Sequence, residues 1–516
     1  MNIAGFCEVK IPASINDGRK IILRHSERID DDYELYTESM RSARSVDTYI
    51  TKCGKREDVI WHPHFTYHGF RYVHISGLDF VDNDTITAVA VYSDINKESS
   101  FVCSDMVINR IQQAIVQTEK CNIHGLFTDC PQRDERMGWM NDATVRFEQV
   151  PYNFDAVKMF EKVVADCACE QDALGRISCT APYFFGCIPA DPVCSAFMVA
   201  AMENLMHYGD RRTVKKYYDS FKAWNEFLKS QSSGWIVEYS HYGDWAGPAE
   251  ACVSLENPHS AVTPDLLMST GYFYYNYKLL ERFAAVCGYD DEIIYNRECA
   301  ECVKQAILDK WVDENATVAG GSQGAQAFAL WLGILPKELC GKAAGLLNAK
   351  VIENNYRITT GNLTTKRVLE MLCEYGYENT AFEVISRDEY PSIGYMLRRG
   401  ATTIWERFED KKNSQMNSHN HPMYGALGSW FYEYIAGIKP TKPAFDEVQI
   451  KPYFPEKLEF AKVVLDTSKG KILVEWKRSE GKVNLYVDIP FGVTAKVYAG
   501  SVHKVGSGFY KFIIGE

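Results

Sequence analysis

No stretch of about eighteen apolar residues occurs in this sequence, so no segment is expected to cross a bilayer as a helix. Long blocks of like charge are missing as well. The 56 Lys and Arg stand against 68 Asp and Glu, for a net charge of −12, so neither nucleic acid nor an anionic membrane surface is expected as a partner. The sixteen cysteines form no framework. Their tightest groupings, Cys167/Cys169 and Cys299/Cys302, lie in amphipathic helical text without a second CxxC or a His pair at zinc spacing. They read as reduced thiols of a cytoplasmic protein, and no metal site is expected. The opening MNIAGFCEVKIPAS has no basic stretch followed by an apolar one, so no secretory leader is expected. Short repeats of the solenoid kind are not visible either.

What is present is apolar content throughout: 46% of 516 residues are hydrophobic, enough for roughly two to four cores. Three textures follow one another. Residues 1–95 carry short strand-like runs (FCEVKIPAS, KIILRHSER, SVDTYITKC, RYVHISG, TAVAVYSDI) between Asp/Gly/Asn turns, the pattern of a β-sandwich that opens late, inside a strand. Residues 96–437 turn helical. Ser104 is the expected N-cap of the first helix, with Met106, Ile108, Ile111 and Ile115 on one buried face. About ten further helical stretches follow, the first near 153–170 and the last near 421–436. Paired helices in this number fit an (α/α)6 barrel, and MSTGYFYYNYKLLERFAAV reads as an inner helix, apolar all round. Residues 438–516 return to strands (KILVEWKR, KVNLYVDIP, AKVYAG, FYKFII) and predict a second, smaller sandwich. The expected fold is therefore a multidomain α+β chain, a central (α/α)6 barrel flanked by two β-sandwiches.

Polar clusters in long loops on a helical scaffold mark where chemistry would sit. The loop 125–143 carries Asp129, Arg133, Asp134, Glu135, Arg136, Trp139 and Asp142. The loop 400–410 carries Trp405, Glu406 and Arg407, and 417–430 adds His419, His421 and Tyr424. HYGDWAGP, 241–248, contributes Asp244 and Trp245. Taken singly, each has a plain reading: a solvated ion-pair cluster, a packing aromatic beside a surface acid, a helix-start histidine, a turn. Taken together, carboxylates, arginine and indole are what a sugar site uses. Charged groups bond vicinal hydroxyls, and Trp covers the apolar face of a pyranose. Glycoside hydrolysis further needs two acids in separate protonation states. Crowded carboxylates in the first loop would raise one pKa by repulsion, while Arg133 and Arg136 hold others down.

Across nearly its whole length the chain resembles the bacterial α-L-rhamnosidases of glycoside hydrolase family 78. The resemblance rests on DCPQRDERMGW followed by NDA, on YGDW, on EYPSIGYMLRRGATTIWERFE and on SHNHPMYGALGSWFYEYIAGI, in that order. Upstream, LRHSERIDDDYELYTESMRSARSVDTYI and HPHFTYHGFRYVHISG resemble the family's β-sandwich. The resemblance implies hydrolysis, with inversion, of terminal α-L-rhamnosides, with no cofactor and no metal. It implies Glu135 as general acid and Glu406 as general base. Asp129, Arg133, Trp139, Asp142, Asp244, Trp245, Trp405 and His421 are the implied sugar-binding residues. The implied partner is a rhamnose-containing glycoside, and self-association is left open.

The chain also departs from the family. IPADPVCSA has Pro189, Ala190 and Asp191 where an aromatic usually precedes the Asp, which implies a lost indole wall. Ile393 stands where Trp is common, and Asn362 and Thr364 where Phe and Gly are usual. Two alternatives stay open: a relative that binds sugar without cleaving it, and an (α/α)6 polysaccharide lyase using His421 and Tyr424.

Overall fold

The structure is a computed structural model that describes residues 1–52, 57–410 and 415–515. Cys53, at the end of the expected strand SVDTYITKC, lies outside the described residues. Alternating burial builds the first sandwich. In β1 (Ile3–Ile11), Cys7, Val9 and Ile11 point inward while Lys10 is exposed. One sheet sets β1 between β7 (Ile86–Ala90) on one edge and β5 (His68–Phe70) and β4 (Val59–Trp61) on the other. The facing sheet has the order β3 (Val46–Ile50), β2 (Lys20–Ser26), β6 (Tyr72–Ser76). Ile3, Cys7, Val9, Ile11, Ile21, Leu23 and Phe70 form a small core of their own.

The helical part opens with α1 (Met106–Lys120). Its cap is Asp105, whose carboxylate accepts from Ile108 N, rather than Ser104, whose hydroxyl instead accepts from Glu459 N. Ile108, Ile111 and Ile115 are buried as expected, but Met106 points to solvent because it sits at the first turn, outside the packed stripe. Two kinds of helix then alternate. Those buried nearly all round are α5 (Ala196–Glu203), α7 (Asp265–Cys287), α9 (Gln323–Leu332) and α11 (Thr365–Glu374), joined by the helical run 423–435. Those with one wet face are α4 (Val157–Glu170), α6 (Arg211–Ser230), α8 (Asp290–Trp311), α10 (Lys337–Glu353) and α12 (Glu378–Ser386). The sixth inner element, α2 (Met140–Arg146) with α3 (Val150–Asn153), falls between the helices expected from sequence. MNDATVRFEQVPYN is polar, short and interrupted by Pro151, so it shows no apolar stripe of its own. A short α13 (Ile393–Arg398) was likewise not legible.

The last sandwich packs β8 (Ser100–Cys103), β11 (Phe460–Thr467), β12 (Gly470–Ser479), β13 (Lys482–Ile489) and β16 (Gly508–Gly515) in that order. Its second sheet has β9 (Ile438–Pro440), β10 (Glu447–Ile450), β14 (Thr494–Ala499) and β15 (Ser501–Val505). The strand at 100–103 thus joins the carboxy-terminal sheet although it precedes the barrel in sequence. One continuous apolar core runs from the barrel into this sandwich. The first sandwich meets the barrel through polar contacts instead. Glu27 accepts from Asn2 Nδ2 and from His419 N, and Arg28 pairs with Asp410 at 2.8 Å. Among the described residues no helix is long and apolar enough to cross a membrane.

Candidate active site

The loop between α1 and α2 is closed on itself by Asp129. Its Oδ1 accepts from Met137 N at 2.8 Å, and its own N–H donates to the Met137 carbonyl at 2.9 Å. Inside that ring sit Arg133, Asp134 and Glu135. The turn completes with Arg136 in the left-handed region, φ 51°, which costs a non-glycine residue about 1 kcal/mol. Gly138 is required by a close approach: a Cβ there would lie 2.2 Å from the Ala181 carbonyl oxygen. The loop 400–410 is tied to 417–421 by several hydrogen bonds. Glu406 N donates to the Ser418 carbonyl, Ser418 N donates to Glu406 Oε2, each at 2.8 Å, and His421 N donates to the Ile404 carbonyl at 2.9 Å.

Arg133 joins the two loops. It is buried, and its Nη1 and Nη2 donate to Glu406 Oε2 and Oε1 at 2.8 and 3.2 Å. Its Nε stands 2.6 Å from Glu135 Oε2. The same Glu135 oxygen takes an N–H from Arg41 Nη1 at 2.9 Å, and Arg41 comes from the first sandwich. An open cavity with about 590 Å³ of space, part of it continuous with solvent, lies against this pair. Its aromatic side is a chain of edge-on contacts, Trp139 to Tyr242 at 5.9 Å and Tyr242 to Trp245 at 5.4 Å. Tyr242 supplies the middle of this wall. The 240–242 backbone that presents it is held by Asp191, which accepts from His241 N, Tyr242 N and the Ser240 hydroxyl.

Of the residues expected at the site, Arg133, Glu135, Trp139, Asp142, Trp245, Glu406 and His421 line this cavity. Asp129, Asp244 and Trp405 do not. Asp129 serves the loop closure described above. Asp244 is buried and accepts from Gly361 N, Leu363 N, Thr364 N and the Thr364 hydroxyl, so it fixes the entry to α11. Trp405 stacks on His419 at 4.0 Å and faces a separate recess. Tyr424 is buried with its hydroxyl donated to the Ala246 carbonyl, which removes it from lyase chemistry. Asn362, at a departure position, donates to Asn141 Oδ1 at 2.9 Å and Asp142 Oδ1 at 3.3 Å and so steadies the cavity floor. Ile393 is buried in α13, away from the cavity. Sequence reasoning missed Arg41, Asn141, Tyr242, Met416 and Met423. Tyr242 in YGDW, Asn141 in NDA and Met423 in HPMYG lay inside the quoted motifs without being singled out.

The electrostatics separate the acids. Burial would raise Glu406, but the Arg133 guanidinium and the Ser418 N–H hold it down at about 2. Burial, then Glu135, pushes Asp129 up to about 7. Asp142 is pushed well above the carboxylate range by burial and by Asp129, Glu135 and Glu406. Burial holds His421 down at about 3, hence neutral. Crowding therefore acts on Asp129 and Asp142. The expected help from Arg136 is not seen: that side chain donates to the Tyr67 carbonyl and lies over the Tyr67 ring. Asp134 is held low by Ser42 and stands at the exposed rim.

Among the described residues, two groups of possible metal ligands each have their donor atoms within 4.8 Å of one another. In Asp129, Cys130 and Glu135, Arg133 already neutralises Glu135 and burial keeps Cys130 a thiol, so the set does not suit a cation. In His25, Asp47 and His68 the two rings stack at 4.2 Å and 19°, so their in-plane lone pairs cannot converge on one ion. What the cavity can do is hold a polyhydroxyl ring between an aromatic side and charged groups, with an ionised carboxylate opposite a second acid.

Comparison with known proteins gives the same outline. The family model for the bacterial alpha-L-rhamnosidase six-hairpin glycosidase domain matches residues 96–435. Those for the family's concanavalin-like and C-terminal domains match 1–92 and 437–508. An alpha-L-rhamnosidase of Formosa agariphila is 30% identical over 517 residues, 96% of this chain and 54% of its own length. That of Streptomyces avermitilis is 28% identical, covering 96% of this chain and 47% of its own. The alpha-L-rhamnosidase structure from Dictyoglumus thermophilum superposes with a TM-score of 0.94 at 30% identity, over 100% of this chain and 61% of that one. The Streptomyces avermitilis enzyme complexed with L-rhamnose gives 0.92 at 26%, over 99% and 51%. The chain spans about half the length of the curated relatives it matches. With three successive family models covering nearly all of its residues, the chain belongs to the bacterial alpha-L-rhamnosidase family.

Proposed function

We propose that the protein is an inverting glycoside hydrolase that releases terminal α-L-rhamnose. The reading is carried by one observation: a single buried guanidinium, Arg133, contacts both Glu135 and Glu406 beneath an open, aromatic-walled cavity with about 590 Å³ of space. The two glutamates meet through Arg133, which supports a spacing with room for a water, as in the roughly 6.5–9.5 Å of inverting sites. Glu406, held ionised, takes a proton from the water that attacks the anomeric carbon. Glu135, supplied with a proton from the neighbouring Asp129, passes it to the departing oxygen in the same step. Asp129 lies within 4.8 Å of Glu135 and is raised to about 7, so a proton is resident beside the acid in neutral solution. Asp142, neutral in the fold, donates to a ring hydroxyl, and Trp139, Tyr242 and Trp245 cover the apolar side of the sugar. Fifteen free cysteines among the described residues, ten of them buried, support a reducing compartment such as the cytoplasm.

The test is release of rhamnose from an aryl α-L-rhamnoside, with the first anomer read by NMR. Glu135→Gln and Glu406→Gln should each lose about 10²–10⁴ of the rate. Unchanged rates would overturn the residue roles, and a retained anomer would overturn the inverting step.

A further inference from the structure

Away from the catalytic cavity the barrel axis opens again, into about 1040 Å³ of space that is partly continuous with solvent. All six inner elements reach it: Glu148 beyond the end of α2, Glu203 at the end of α5, Lys278 on α7, Trp331 near the end of α9, Lys366 on α11 and Glu433 in the run 423–435. The catalytic cavity takes Asn141 and Asp142 from the start of α2, so the two spaces lie at opposite ends of one axis.

An inner helix is expected to be apolar, yet α11 buries Lys366, Arg367 and Glu370, each no more than 3% exposed. Buried charges are costly unless they are paired. Here they are. Lys366 Nζ lies 2.6 Å from Glu148 and 3.3 Å from Glu370, and Arg367 reaches the same two carboxylates at 2.6 and 2.9 Å. At the rim Lys278 pairs with Glu281 and Lys439 with Glu374, while Arg282 stands out in water. Two carboxyls remain. Glu203 is pushed well above the carboxylate range by burial and then by Glu148 and Glu433, and burial raises Glu433 as well. Each favours the protonated form, a donor and an acceptor at once. Arg367 Nε is buried without a hydrogen-bond partner among the described residues. Trp331 and Tyr275, 4.8 Å apart, give the same space an aromatic wall.

We propose that this far mouth is a second, non-catalytic saccharide site, and that it takes a neutral monosaccharide. The class follows from the lining. A charged ligand would have to displace counter-ions that already hold the lysines and Arg367. A polyhydroxyl ring needs no such exchange: Glu203 and Glu433 bond its hydroxyls, and Trp331 with Tyr275 covers its apolar face. No bond is cleaved here, so the proposal stands apart from the hydrolase reading.

The experiment is hydrogen exchange of the full chain, read by mass spectrometry, with L-rhamnose, D-glucose and, as a charged control, inorganic phosphate. It compares the parent with Glu203→Met/Glu433→Met. Burial disfavours both carboxylates, so apolar side chains of similar size should keep the fold. The expected result is protection of 200–208 and 329–335 by L-rhamnose or D-glucose, with the half-effect concentration raised about tenfold in the double variant. Protection of 125–143 by L-rhamnose should keep its midpoint. If neither sugar protects 200–208 or 329–335 in the parent, the proposal is overturned whatever the variant does. Protection that the double variant leaves unchanged overturns it too, and so does protection by phosphate alone, which would make the mouth an anion site. Failure to cleave any α-L-rhamnoside would sink the hydrolase reading and leave these outcomes untouched.

Discussion

At the scale of single residues, Arg133 decides the state of the site. Two effects act on Glu406: burial, which raises its pKa, and a two-pronged guanidinium with a backbone N–H, which lowers it. The guanidinium wins. In Arg133→Gln burial loses its main opponent, so Glu406 should rise by about 1–3 units and the acid limb of kcat/KM should move up by the same amount. The alkaline limb has a different origin. Asp129, raised to about 7, ionises there and sets a second negative charge beside Glu135. The parent profile should fall above pH 7, and Asp129→Asn should lose that fall while keeping the acid limb. A parent profile flat to pH 9 would remove Asp129 from the account. Glu135, Glu406, Arg133 and Trp139 were legible because they sit inside motif text. Arg41 was not, since nothing in MRSARSV distinguishes an arginine that crosses to another domain from one in water. Asp129 and Asp244 were legible as important residues but not in their placement: sequence cannot tell a carboxylate facing a ligand from one capping backbone N–H groups.

At the scale of elements, the loop 125–143 and the segment 179–188 behave as one piece because Gly138 lets their backbones touch. Gly138→Ala must push Ala181 away, at a cost of about 1–3 kcal/mol. That movement shifts Trp139, which sits next in the chain. We expect a lower melting temperature and a KM increase larger than the kcat loss, since the wall moves while Glu406 stays tied to Ser418. A variant with parent stability and parent KM would show that the close approach is not needed. The inner helices were legible where they are long and apolar all round, as in α7. The inner helix α2 was hidden because its face to the cavity is polar by function. Asn141 and Asp142 point into the site, so the apolar period that identifies a helix is spent on chemistry.

At the scale of the whole molecule, the first sandwich is a small body with its own core, held to the barrel by polar contacts, and it still supplies Arg41 to the site. Arg41→Ala should lower kcat/KM without unfolding the chain, because Arg41 is partly exposed and packs no core. Two buried groups of this sandwich titrate in opposed ways. His25, buried against His68, is held down at about 4, so it is neutral in the fold. The unfolded chain takes up its proton first, so the stability this histidine supports is full above pH 6.5 and drains away as pH falls toward 4. Glu27, buried under Asn2 and His419, is raised to about 7. Its contribution is full below pH 4.5 and drains away as pH rises through 7. Each is worth up to about 3 kcal/mol across its window, and over pH 4.5–6.5 the two slopes oppose each other. Single variants should therefore each remove one of these two slopes from the parent's profile. Relative to the parent, His25→Phe should lose stability as pH rises and Glu27→Gln should lose it as pH falls. Thermal melts at half-unit steps from pH 4 to 7.5 read both, and slopes of the same sign in the two variants would refute the pairing. Since Arg41 rides on the same sandwich, activity should track these melts: a sandwich that opens takes its guanidinium away from Glu135 before the barrel core gives way.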